Sequence, residues 1–260
     1  MTTLTATRSP RGLGALTAAE ARLFLRDAGG SFFALAFPSI LLVGIGFAIP
    51  GMRERITDLA EPWAGMLPIH IFTPVVLATA IATPALTTLP VFLATYREQG
   101  ILRRLSTTPM RPQGVLVAQV AVNIAALAAA AGLALVIAAV VFGSPAPEQP
   151  AVAVLAFLLG AAAMFGVGLL IAARAPKGSA ASGLGMLVYF PMLLFAGMWT
   201  PGPMMPETLA TIGSYTPLGA ASQAMTAAWF SDGFPALQVV VMLGYVAVLY
   251  PLAAKLFRWS

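Results

Sequence analysis

Ionisable side chains are scarce in this sequence, and their clustering gives the first indication of its chemistry. There are 14 Lys and Arg, 9 Asp and Glu, one His and no Cys over 260 residues. Without cysteine there is no thiolate nucleophile and no thiolate metal site. The sequence has no G-x-x-x-x-G-K-[ST] to cradle ATP phosphates, no H-E-x-x-H and no G-x-S-x-G. The densest charged cluster is YREQGILRRLSTTPMRPQG, residues 96–114. Ile101, Leu102 and Leu105 form an apolar stripe at helical spacing, bordered by Arg97, Glu98, Arg103 and Arg104. Gly100 permits a turn or a close backbone approach. Pro109 and Pro112 end the helix. Such a helix suits docking. The stripe fills an apolar groove, the carboxylate meets a basic or N–H group, and the guanidiniums meet carboxylates or phosphates. A plain basic loop is the other reading of the same residues.

The long segments between charged clusters carry fewer candidates. Met186, Met192 and Met198, with Tyr189 and Phe195 between them, could line an adaptable apolar path, or simply pack a core. Asn123 lies in an otherwise apolar segment, where an amide glues helices together or touches a substrate. His70 reads as a satisfied histidine near a membrane interface. No Asp, Glu, Lys or Arg lies inside these segments, which argues against a carboxylate relay for protons or sodium. No metal site is expected.

Those residues need elements to hold them, and composition names the elements. The chain is 59% hydrophobic and 9% charged, with mean hydropathy +0.90. A soluble domain carries about 25% charged residues. A polytopic membrane protein follows, and its spans must be helical to satisfy their own backbone. About 20 apolar residues cross the hydrocarbon core. Six runs qualify, at roughly 31–50, 70–95, 115–142, 151–173, 180–200 and 234–254. The charge-free stretch 208–231 is too rich in Ser, Thr, Gly and Pro, and is expected as short helices at one membrane face. One transmembrane domain over 1–260 is expected. The first apolar run is too long for the apolar region of a cleavable signal. Before it, LTAAEARLFLRDAGG reads as an interfacial helix, with Arg22 and Arg26 on one face and Ala21, Phe24 and Leu25 on the other. Thr17 and Glu20 have capping-box spacing. An ordinary basic tail is the alternative.

Charge orients the spans. Arg8, Arg11, Arg22, Arg26, Arg97, Arg103, Arg104, Arg111, Arg174, Lys177, Lys255 and Arg258 fall on one side of a six-span arrangement, leaving Arg53 and Arg55 on the other. Both termini are therefore expected in the cytoplasm. Trp63, Trp199 and Trp229 fall near the outer interface. The pI near 10.1 reflects these basic loops beside lipid and not nucleic-acid binding.

Three segments together resemble the membrane subunit of type 2 ABC exporters, most closely the daunorubicin-resistance permease-like group. They are RDAGGSFFALAFPSILLVGIGF from Arg26 to Phe47, YREQGILRRLSTTPMRP from Tyr96 to Pro112, and FAGMWTPGPMMPETLATIGSYTPLGAASQAM from Phe195 to Met225. The middle one is similar to the family pattern R-E-x-G-x-L-x-R-L-x-x-T-P. Arg26-Asp27-Ala28 departs from the family's usual Arg-Asp-Pro. The resemblance implies an all-α fold of six transmembrane helices, with an N-terminal interfacial helix and a cytoplasmic coupling helix. It also implies short extracellular re-entrant helices before the last span. The coupling helix would dock into a separate ATPase, present in two copies and carrying the ATP and Mg²⁺. A second permease subunit, identical or homologous, would complete the path through a bacterial inner membrane. An uncharged path suits a drug, natural product or lipid. Export of a polysaccharide or glycolipid, a non-ABC transporter and an assembly protein are the alternatives.

Overall fold

The computed structural model describes residues 10–57, 63–101 and 112–256. Every regular element among them is helical: α1 (Pro10–Arg26), α2 (Ala28–Leu35), α3 (Phe37–Ala48), α4 (Pro68–Thr83), a π-helical turn (Pro84–Thr88), α5 (Leu89–Glu98), α6 (Pro112–Phe142), α7 (Pro150–Arg174), α8 (Gly178–Phe195), a 3₁₀ turn (Gly202–Met204), α9 (Glu207–Ser214), α10 (Pro217–Phe230) and α11 (Ala236–Leu256). Among these, α4–α5 taken together, α6, α7, α8 and α11 are long and apolar enough to cross a membrane. The pair α2 and α3, bent by 55°, makes a sixth crossing when counted as one span. The chain is thus an all-α polytopic membrane protein. Large apolar side chains such as Leu187, Val140 and Val248 stand exposed, as a lipid-facing surface requires.

The break in the first crossing falls at Ala36, just before Pro38 in the first turn of α3. Proline has no amide hydrogen, so it cannot bond back to the preceding turn. Asp27 caps α2, accepting from the Gly30 amide at 3.2 Å.

The α4–α5 span is the central helix and the most buried crossing. Prolines 74, 84 and 90 remove backbone donors along it. The helix adapts by the π-turn, in which the Leu89 amide reaches back five residues to Pro84 O. Thr79, Thr83 and Thr87 return their hydroxyls to carbonyls four residues earlier. Two glycines press on the π-turn. A Cβ on Gly168 of α7 would overlap Ala85 O, and one on Gly185 of α8 would overlap Leu86 O. Small residues therefore set the spacing of three spans here.

Span boundaries differ from the sequence reading most clearly at α8, which stops at Phe195 and not near 200. Gly197 takes φ +88°. Its amide bonds to Leu194 O, and the Met198 amide to Leu193 O, which is a Schellman stop. The segment 208–231 forms α9 and α10. The latter has 14 residues. It spans about 21 Å, short of the roughly 30 Å hydrocarbon core. Its polar residues are tethers: Ser222 Oγ donates to Ala196 O at 2.7 Å, and Gln223 Nε2 to Ala210 O at 2.8 Å.

Two smaller expectations are corrected. Helix α1 begins at Pro10, so Thr17 and Glu20 lie in mid-helix and form no capping box. Leu25 is 64% exposed and lies off the buried face, where Phe24 packs on Ala34, Val122 and Ala126. Trp229 is buried, donating to Pro145 O at 3.1 Å, and Trp63 is half-buried, its ring tilted against Phe230 with centroids 5.2 Å apart. Trp199 is exposed.

Candidate functional site

The last turn of α5 leads into the charged loop, and each of its final three residues ties it to other elements. Tyr96 Oη donates to Glu20 Oε2 of α1 at 2.7 Å, and the same oxygen accepts from Gln119 Nε2 of α6 at 2.6 Å. One carboxylate thus joins three helices, and it is buried. Arg97 Nη1 donates to Ala172 O at 3.0 Å and Ala175 O at 3.1 Å, satisfying carbonyls at the end of α7. Glu98 Oε2 accepts from the Gly178 amide at 3.1 Å, the first residue of α8. The helix then ends with Gly100 at φ +64°, its amide bonded to Arg97 O.

The sequence reads Arg97 and Glu98 as groups for a partner surface. In the structure Arg97 Nη1 and Glu98 Oε2 also bond to the chain's own α7–α8 turn. Ile101 is half-buried. Leu102, Arg103, Arg104 and Leu105 lie outside the described residues. Arg22 and Arg26 are exposed on α1, opposite the buried Phe24 and Glu20.

Beside this hub a groove of about 940 Å³ opens between α2–α3, α4–α5 and α8. Asp27, Gln99 and Ile101 line one end, and Leu41, Met198 and Trp199 the other, so it runs the depth of the bundle. Aromatic rings line much of its wall: Phe33, Phe37, Phe92, Tyr189 and Phe190. Polar lining comes mainly from hydroxyls, including Thr83, Thr87, Thr95 and Ser182. Among the described residues of the lining, Asp27 is the one that carries a charge. Tyr189 Oη and Thr83 Oγ1 lie 3.1 Å apart, linking α8 to α4.

Of the expected path residues, Met186 and Tyr189 line this groove. Met192 packs against the core, and Phe195 lines a separate pocket of about 480 Å³ under α9 and α10. Asn123 is fully buried away from both, and its Nδ2 donates to Gln119 O of its own helix. His70 Nε2 lies 2.9 Å from Phe142 O, so it is satisfied within the fold. The sequence reading missed Glu20, Gln119 and the threonine side of the groove. A carboxylate three and four positions from Thr17 and Phe24, on an inward helical face, was the available signal for Glu20.

The ABC-2 type transporter family model matches residues 11–230, which takes in α2 to α10, the hub and the groove. No curated protein and no solved structure gives a match. A match of that extent carries the family with it: the chain belongs to the ABC-2 type transporters, as a membrane permease component whose ATPase is supplied by a separate partner.

Proposed function

We propose that this permease exports apolar or amphipathic compounds, such as a drug, natural product or lipid, from the cytoplasm or inner leaflet. The observation that carries the proposal is the groove running the depth of the bundle, with a single charged residue among the described residues of its lining. A hydrated ion or sugar crossing it would lose water without gaining enough polar partners. An alkyl or aromatic body gains contact with Phe33, Phe37, Phe92 and Phe190, while uncharged polar groups meet the threonines. Helices α2–α3 and α8 leave exposed apolar rims, including Phe32, Ile40 and Leu187, which a second permease subunit covers to close the path. Two ATPase copies bind ATP and Mg²⁺, and dock on the loop around Ile101, Leu102 and Leu105.

The test is purification of the chain with its ATPase, followed by ATP hydrolysis measured against a panel of amphiphiles and hydrophilic solutes. Stimulation by amphiphiles is expected. Stimulation confined to small ions or sugars would overturn the cargo class.

A further inference from the structure

We infer that Arg97 and Glu98 are positioning residues that carry movement of the docking loop into α8, the mobile wall of the groove. This rests on the permease reading above and adds the route by which the loop acts. The α7–α8 connection is three residues, Ala175, Pro176 and Lys177. Each side of it presents unsatisfied backbone groups of opposite polarity, carbonyls ending α7 and amides starting α8. Arg97 grips the first set at Ala172 O and Ala175 O, and Glu98 grips the second at Gly178 N. The signs match the helix termini, so both bonds are charge-assisted. Adjacent residues of one helix thus clip both sides of one turn. The fit is also steric: a Cβ on Gly178 would overlap Thr95 Oγ1, so the start of α8 lies flush on α5.

The consequence follows from where α8 leads. Eight to twelve residues beyond the clip it presents Met186, Tyr189 and Phe190 to the groove. One face of α8 packs on α5 and the π-turn through Gly178, Ala181, Gly185, Tyr189 and Leu193, while residues such as Leu184 and Leu187 on its other face are exposed, so α8 is coupled mainly to the helix that carries the clip. A shift of the 96–98 turn therefore displaces the groove wall directly. A helix held only by apolar packing against lipid would not register that shift.

The experiment uses the full permease–ATPase complex in phosphatidylethanolamine–phosphatidylglycerol vesicles. The chain has no native cysteine, so Leu184→Cys on α8 and Val154→Cys on α7, both at exposed sites, take spin labels cleanly. The label separation is measured with and without ATP and vanadate. The unmutated clip should give a nucleotide-dependent change. Glu98→Ala should reduce that change by about fivefold or more while ATPase co-purification and hydrolysis persist. Glu98→Gln keeps a weaker, neutral acceptor and should retain part of the change. An undiminished change in Glu98→Ala overturns the inference, as does loss of ATPase binding, which would make Glu98 a docking residue. If Glu98→Ala does not accumulate in the membrane, Glu98→Gln decides: an intermediate change supports the clip and an undiminished one overturns it. Absence of any nucleotide-dependent change with the clip intact would show that α8 does not move with the ATPase and also overturns the inference, whereas failure of the proposed function reads out separately, as absence of amphiphile-stimulated hydrolysis.

Discussion

Tyr96 and Glu20 are 76 positions apart in sequence, and their side chains meet at 2.7 Å beneath the root of the charged loop. The Glu20 carboxylate also holds Gln119, so removing it strands the buried Gln119 amide and the half-buried Tyr96 hydroxyl. Hydrogen bonds to a charged group contribute about 1.5–3 kcal/mol each. Glu20→Leu is expected to lower the thermal unfolding midpoint of the purified complex more than Tyr96→Phe, which leaves the Gln119 bond intact. The double variant should cost less than the two single costs added, because they share one partner. Additive costs would show that the three groups do not act together.

Two glycines on α8, two residues apart, should respond oppositely to the same substitution. A Cβ on Gly185 would overlap Leu86 O, and overpacking costs about 1–3 kcal/mol. A Cβ on Gly183 meets nothing within 4 Å. There alanine gains helix propensity, by up to about 1 kcal/mol. Gly185→Ala should therefore lower thermal stability in detergent, while Gly183→Ala leaves it unchanged or raises it. Gly168→Ala, facing Ala85 O, should behave like Gly185→Ala.

The two glycines also mark how far the sequence could be read. Crossing helices follow from run length and the absence of charge, which are local properties, and five crossings were legible, with a sixth if the bent α2–α3 pair is counted as one. The stop of α8 at Phe195 was not, because the apolar run continues through Met198 and Trp199 while a left-handed Gly197 ends the helix. Gly183 and Gly185 look alike in sequence, and only the placement of the π-turn separates them. Loop charges default to the surface in such a reading, so Arg97 and Glu98 were assigned outward. In the structure both also bond to a turn some 75–80 positions away, which no local pattern announces. Asn123 stood out because it is polar among apolar residues, yet its donor is satisfied within its own helix. The groove was half legible: Met186 and Tyr189 share its wall, but the facing threonines belong to a different span.

Substitution along α8 should separate cargo selection from assembly. Met186→Ala and Phe190→Ala alter residues that line the groove, whereas Met192→Ala alters one packed in the core. The first two are expected to change the rank order of amphiphiles that stimulate ATP hydrolysis, at unchanged ATPase co-purification. Met192→Ala should instead lower stability, by the roughly 2–5 kcal/mol typical of a buried Met→Ala change or less given its partial exposure. An unchanged amphiphile order in both groove variants would detach the groove from cargo selection.

The docking stripe makes a quantitative expectation for the loop. Burying one leucine side chain is worth about 1.5–3 kcal/mol. Each 1.4 kcal/mol is about one tenfold step in affinity. Leu102→Ala combined with Leu105→Ala should therefore weaken ATPase binding by several tenfold steps, with membrane insertion intact because no span is altered. Pull-down of the ATPase at matched permease expression reads this directly. Undiminished binding would reduce the segment to a basic loop.

The two ends of the bundle carry different charge, and this sets the expected orientation. Among the described residues, Arg22, Arg26, Arg97, Arg174, Lys177 and Lys255 lie at the end that holds the hub. The opposite end holds Arg53 and Arg55 with Glu54, Glu148, Glu207 and Asp232. Arg53 lies over the Phe47 ring at 4.4 Å, and Arg55 donates to Gly65 O, so even these two are engaged locally. Basic residues in short loops are retained on the cytoplasmic side. The hub should thus face the cytoplasm and the α9–α10 segment the exterior. Ser231 and Ser179 are both exposed, one at each end. With no native cysteine, Ser231→Cys and Ser179→Cys report sidedness without background. An impermeant thiol reagent should label Ser231→Cys in intact cells and Ser179→Cys only after lysis. The reverse pattern would invert the protein in the membrane and place the loop where no cytoplasmic ATPase could reach it.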